Sequence, residues 1–203
     1  MISAITDSGR RMADIVSNML SFARKDDERT SSHSIAELIE KSLELAAADY
    51  NAKKQYDFKR IEIRKMYAHN LPAVTCEGAK IQQVLLNIFI NGAQAMQSSE
   101  TEKPCFTIHT QFEKELEMVR IDITDNGPGM DENVRERIFE PFYTTKPTGA
   151  GTGLGLSISY FIITKNHGGD MQVVSEPGRG TTFIIKLPTT HDSFDLLSRG
   201  AFP

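Results

Sequence analysis

The 203-residue chain contains no tryptophan and only two cysteines, Cys76 and Cys105. Each cysteine lies in an apolar run that reads as strand, and no C-x-x-C spacing occurs, so both are expected as free buried thiols. Excess positive charge is also missing. Against 27 Asp and Glu stand 23 Lys and Arg, and the resulting −4 gives no general electrostatic case for nucleic acid or an anionic membrane as partner. No apolar run is long enough to span a bilayer, and Met1 is not followed by a basic segment with an apolar core. The chain as given therefore reads as cytoplasmic, which leaves open a membrane anchor elsewhere in a full-length protein. No internal repeat is present.

What is present begins with an apolar seam. Ile5, Gly9, Met12, Val16, Met19 and Ala23 alternate at three- and four-residue steps, which predicts a bundle-type helix over residues 2–24. A plain core helix is the competing reading. The charged break Arg24 to Ser32 that follows looks like a hinge. Ser34 with Glu37 forms a capping box for a second helix, reaching to about residue 49. Strands are expected over 58–66, 71–76, 105–112, 118–124, 171–174 and 182–187. Helices are expected over 77–96 and 154–166, with a short one over 131–138. Strands and helices mix without regular βαβ alternation, so the predicted fold is α+β: a two-layer α/β sandwich with a mixed sheet and helices on one face, preceded by the bundle-type helix.

Two features within this scheme carry chemistry. Asn87 and Asn91 are four residues apart and share one helical face. Asparagine is a poor helix former and costly to bury unpaired, so the pair is either solvent-facing or functional. The second feature is the segment from Asp125 to Leu156, where Asp125-Asn126-Gly127-Pro128-Gly129 and Gly149-Ala150-Gly151-Thr152-Gly153-Leu154-Gly155-Leu156 flank an aromatic middle. A glycine-rich turn opening a helix is an anion site, because its amides can point at phosphate along the helix dipole. It is not a P-loop, which needs Gly-Lys-Ser/Thr, and Leu154 replaces the third glycine of the dinucleotide fingerprint. The D-F-G and catalytic-loop set of eukaryotic-type kinases is absent.

Together these motifs resemble those of bacterial sensor histidine kinases. Asn87 to Met96 looks like the family's N box, Asp125 to Met130 its first glycine box, Ile138 to Lys146 its F box, and Gly151 to Leu156 its second glycine box. The likeness continues through His167-Gly168-Gly169 and Gly178 to Phe183, in the family order. It implies the fold shared with DNA gyrase and the heat-shock chaperone ATPases, with a lid over ATP. Asp125 would accept from the adenine amino group, with Gly127 and Gly129 allowing close approach. Asn91 would ligate Mg²⁺, with Asn87 beside it; an amide oxygen suits this hard cation. Gly151, Thr152, Gly153, Leu154, Gly155 and Leu156 would hold the phosphates, Thr181 would complete the pocket, and Phe139 and Phe142 would anchor the lid.

Where many members carry a phosphate-binding lysine after the second asparagine, this chain has Gln94, as one subgroup does. Lys146 in the lid is expected to supply the missing charge; a solvated lysine is the alternative. Asn87 also separates transfer from hydrolysis, since the ATPase relatives place there a glutamate that activates water and an amide cannot act as that base. The family's acceptor is a histidine followed by an acidic residue, and His33, His69, His109, His167 and His191 all lack that context. The chain thus reads as three parts. Residues 1–29 are the second helix of a dimerisation hairpin and its hinge, 30–190 the catalytic ATP-binding domain, and 191–203 a tail.

The expected function is that of an ATP-dependent protein-histidine kinase fragment with Asn87 and Lys146 as catalytic candidates. Its expected partners are the histidine-bearing helix of the full-length kinase, a response regulator receiver domain, and a second copy through residues 2–24. A related serine-directed kinase and a degenerate nucleotide-sensing module are the alternatives.

Overall fold

The computed structural model describes residues 30–53, 57–147 and 151–190. The expected bundle helix at 2–24, Gly149 and Ala150 of the glycine loop, and the tail lie outside them.

Five strands build the main sheet: β2 (Glu62–Tyr67), β4 (Cys105–Glu113), β5 (Met118–Asp125), β6 (Asp170–Ser175) and β7 (Thr181–Pro188), in the order β2-β4-β5-β7-β6. β2 is parallel to β4 and every other pairing is antiparallel, which makes the sheet mixed. Period-two alternation sorts its faces. Ile108 pairs with Ile123, which pairs with Phe183, and Ile121 pairs with Ile185, all of them buried. The opposite face is polar. There Arg120 donates to Asp122 at 2.7 Å and Lys186 to Glu113 at 2.9 Å, and these ties hold the Glu113 carboxyl below its ordinary range, chiefly through Lys186.

Helices α1 (Ile35–Lys53) and α2 (Gly78–Ser98) cover the apolar face. Ile81, Val84, Leu85, Ile88, Phe89 and Met96 of α2 are buried, the arrangement that near-helical spacing predicts. Phe89 meets Phe106 of β4 edge to face at 5.4 Å. The α+β sandwich expected from the sequence is therefore the fold observed.

Three local elements differ from expectation. Ser31–His33, whose first two residues close the break read as hinge, is a strand (β1) that pairs antiparallel with β3 (Val74–Cys76) in a separate two-stranded sheet. The segment before β2 is a 3-10 turn, Phe58–Arg60, because Phe58 leaves the alternation to stack on Phe106 at 6.2 Å. The helix after the second glycine loop is α-helical only over Gly155–Phe161 (α4) and continues as a π-turn, Ile162–Asn166. A short helix, α3 (Glu132–Arg137), follows the first glycine box, its N-cap Asp131 accepting from the Val134 amide at 2.9 Å.

Burial pushes the Cys76 thiol up to about 11, so it stays protonated at neutral pH. Cys105 is also buried and unbridged. No helix among the described residues is long and apolar enough to cross a membrane.

Candidate nucleotide site

The site forms where β5 ends. Asp125, its last residue, is only 6% exposed although it is a carboxylate. Its Oδ1 accepts from the Gly127 amide at 2.9 Å and its backbone pairs with Thr181 of β7. Burial dominates these hydrogen bonds and raises the carboxyl above its ordinary value, while the Gly127 and Thr181 amides pull it back. The group is thus a desolvated acceptor facing a neighbourhood built without side chains. A β-carbon on Gly92 of α2 would press the Phe106 ring at 2.7 Å and Asp125 Oδ2 at 3.3 Å; one on Gly127 would reach Oδ1 at 2.9 Å. Gly92 lay inside the N-box resemblance without an assigned role, and only the cross-layer packing reveals one.

Around Asp125 the two loops at this end of the sheet interlock. Gly129 and Gly180 both have positive φ, +68° and +83°. A β-carbon on Gly129 would overlap the Glu176 carbonyl oxygen, and one on Gly180 the Asp125 carbonyl oxygen. Ser175 completes the joint: its hydroxyl donates to the Gly180 carbonyl, accepts from the Met130 amide, both at 2.9 Å, and meets Thr181 Oγ1 at 3.0 Å. Thr181 is thereby brought to Asp125 with its hydroxyl facing Ser175.

The second half of the site lies between α2 and α4. Asn87 Nδ2 donates to the Gly155 carbonyl and to Ser159 Oγ, each at 3.2 Å, which fastens the glycine loop to α2. Asn91, one turn on, points its Oδ1 at Lys146, whose Nζ donates to it at 2.9 Å and also to Gln94 Oε1. The residue that departs from the common motif and the lysine expected to compensate for it are therefore in direct contact. Burial lowers the Lys146 pKa. Gly151 lies against the same lysine, a β-carbon there meeting Thr144 Oγ1 at 3.0 Å and Lys146 Cδ at 3.2 Å.

Thr152 Oγ1 accepts weakly from the Leu154 amide at 3.4 Å, Leu154 is buried, and Leu156 packs against the core. Gly153, at φ +66°, presses on the backbone of Phe142, whose amide donates to the Gly153 carbonyl at 2.9 Å. The two aromatics expected to anchor the lid behave differently. Phe139 packs on Tyr160 at 4.9 Å and against the core, whereas the Phe142 side chain is 61% exposed and only its backbone is anchored. Phe139, Phe142, Leu154, Ile158 and Tyr160 line an apolar groove of about 410 Å³ beside this cleft.

The donor set also bears on metal. Among the described residues no cluster of three or more His, Cys, Asp or Glu could hold an ion. The oxygens of Asn91 and Gln94 nevertheless converge on a cation, the Lys146 ammonium. Neutral amide oxygens aimed at positive charge suit a hard cation that takes its remaining ligands from phosphate and water.

Residues 76–191 match the family described as histidine kinase-, DNA gyrase B-, and HSP90-like ATPase. Sensor histidine kinase ZraS of Escherichia coli (strain K12) is 31% identical over 178 residues, covering 88% of this chain and 35% of ZraS. Sensor kinase CckA of Brucella abortus is 32% identical over 196 residues, covering 92% of this chain and 20% of CckA. The chain thus spans about a third or less of the length of these relatives. Among solved structures, the catalytic domain of histidine kinase ThkA superimposes with a TM-score of 0.66 at 28% identity, covering 81% of this chain and 99% of that domain. Full-length ShkA in complex with AMPPNP gives 0.70 at 27% identity, covering 92% and 38%.

Proposed function

This chain belongs to the histidine kinase-, DNA gyrase B-, and HSP90-like ATPase family and carries a nucleotide-binding domain of the sensor-kinase kind; from that premise we propose that it is the catalytic portion of an ATP-dependent protein-histidine kinase of a two-component system. It transfers the γ-phosphoryl group to a histidine that the chain itself does not carry. Residues 30–190 are the catalytic domain, residues 1–29 the end of a dimerisation hairpin with its hinge, and 191–203 a tail. The observation that carries the reading is the meeting of Asn91, Gln94 and Lys146 beside the glycine loop, one cleft away from the buried Asp125.

Each residue then has a task. Asp125 accepts from the adenine amino group, and Gly127 and Gly129 leave space for the base. Gly151, Gly153 and Gly155 offer backbone amides to the phosphate tail, and Asn87 keeps that loop against α2. Asn91 and Gln94 present oxygens to a cation. When bound, Mg²⁺ supplies charge neutralisation at the phosphates, with Asn91 as the protein ligand. Lys146 adds a second positive charge from the lid side. Asn87 does not activate water: its amide donates to Gly155 and Ser159 and is not basic enough to take a proton. Positioning and electrostatics favour phosphoryl transfer over hydrolysis. The acceptor histidine lies on a helix of the full-length kinase, and a response regulator would take the phosphoryl group onward.

The chain is tested by mixing it with Mg·ATP and a separately produced histidine-bearing hairpin of the full-length kinase. Acid-labile label on the hairpin and none on this chain is the expected result. Acid-stable label on a serine would move the function to a regulatory serine kinase, and no binding of an ATP analogue would reduce the chain to a degenerate module.

Lys146→Ala provides a sharper test of the lid. Losing a half-buried cation from the phosphate end should weaken ATP-analogue binding about tenfold while adenosine binding stays unchanged. Titration calorimetry with both ligands reads this; unaltered analogue affinity and unaltered transfer rate would remove Lys146 from the site.

A further inference from the structure

His167 is buried, 5% exposed, and lies at the end of the π-turn, far along the chain from the glycine loop. Both of its ring nitrogens are engaged. The Glu77 backbone N–H donates to Nε2 at 3.0 Å, and Nδ1 lies 2.9 Å from the Ile162 carbonyl oxygen. A backbone N–H can only donate and a carbonyl can only accept, so the ring must carry its proton on Nδ1 and keep Nε2 as an acceptor. Helix α2 needs this acceptor. Its N-cap, Glu77, makes no side-chain capping bond, its first turn holds no acidic residue, and its first residue, Gly78, is packed under the His33 ring.

The same two segments are tied again at the other end. Asn87 of α2 donates to Gly155 and Ser159 at the start of α4. From Glu77 to Asn87 the chain advances along α2, while from His167 to Gly155 it runs back along the π-turn and α4. The pair is therefore pinned at both ends, roughly 15 Å apart at 1.5 Å per helical residue. One pin touches the glycine loop and the other is His167. The π-turn between them, Ile162–Asn166, places the His167 ring where its Nδ1 meets the Ile162 carbonyl at 2.9 Å.

We infer that His167 is a positioning residue for the nucleotide's phosphates: as a neutral Nδ1–H imidazole joining the start of α2 to the end of the π-turn, it fixes the distance of the glycine loop from Asn87 and Asn91. The inference rests on the nucleotide reading of the cleft. It acts through α4 and not by contact, so a loss there should fall on the phosphate tail and spare the base held near Asp125.

The test uses the whole chain with His167→Phe, which keeps a ring and loses both bonds, and His167→Gln, whose amide can still accept from Glu77. A non-hydrolysable ATP analogue with Mg²⁺ and adenosine alone are titrated at a temperature where circular dichroism finds every variant folded. His167→Phe should weaken the analogue about tenfold and leave adenosine within about twofold, a selective coupling of ordinary size. His167→Gln should recover most of the loss. Imidazole nitrogen shifts of the wild type should report the Nδ1–H tautomer. Equal losses for both ligands, no loss in His167→Phe, or an Nε2–H tautomer would each overturn the inference. Should the wild type bind neither ligand, the nucleotide reading fails separately. Amide exchange at Gly155 to Ser159 then decides the coupling: faster in His167→Phe and restored in His167→Gln upholds it, and unchanged exchange ends it.

Discussion

Asparagine in place of Asp125 is expected to lower affinity for an ATP analogue by about 10- to 100-fold while leaving the unliganded protein as stable as before, or slightly more so. Hydrogen bonds to an ionised acceptor are worth about 1.5–3 kcal/mol, which sets the binding loss. The stability outcome comes from burial, since a carboxylate 6% exposed bears a desolvation cost that a neutral amide avoids. The pH dependence carries the same sign. The folded-state pKa is raised above the ordinary 3.8, so the folded protein holds its proton where the unfolded chain has released it. Asp125 therefore contributes stability below the ordinary value, and that contribution is lost as pH rises through the raised one. The Asn variant should lack this component of the stability–pH profile. Titration calorimetry and denaturant unfolding between about pH 4 and pH 8 read both effects; an Asn variant that binds the analogue as well as wild type would remove Asp125 from base recognition.

Gly180→Ala is expected to cost about 3 kcal/mol through strain at φ +83° and overlap with the Asp125 carbonyl oxygen. Gly178→Ala is its control. That residue also has positive φ, +77°, but a β-carbon there meets nothing within 4 Å, so only the strain of about 1 kcal/mol remains. Urea melts of the pair would separate conformation from collision. Equal losses would mean that the loop around Gly180 gives way and that the interlock with Asp125 is soft.

How legible this molecule is in its sequence depends on how local each cause is. Period-two alternation in Met118 to Asp125 and near-helical spacing in α2 are written within single segments, and both elements appear where expected. β1 could not be read in this way. Ser31–His33 follows a charged break, and it is a strand only because Val74–Cys76, far along the chain, offers it a partner. Phe58 shows alternation broken by an aromatic that gains more from Phe106 than from its place in the strand. The π-turn has no sequence signature at all, yet it sets where His167 falls.

For the site, the motifs supplied the residues and withheld the contacts. That Asn91 and Lys146 belong together follows from no spacing, because Asn91 is on a helix and Lys146 on the lid. That Asn87 also holds Gly155 is likewise a contact no motif reveals. The contacts of His167 and Ser175 are not legible in the sequence, because a buried histidine or serine looks like any other until its partners are known.

On the nucleotide reading proposed above, the Lys146 ammonium on Asn91 and Gln94 would give loading the character of ion exchange. An empty cleft of converging amide oxygens would admit whatever cation is abundant; this one already has an incumbent. A metal held by Asn91 would compete for the oxygen to which Lys146 now donates, and Lys146 would stand close to the negative charge of the nucleotide that brings it. Because burial lowers the Lys146 pKa, alkaline conditions weaken the incumbent before they would an exposed lysine. On that reading the segment carrying Lys146 would be tethered by charge to the occupancy of the cleft.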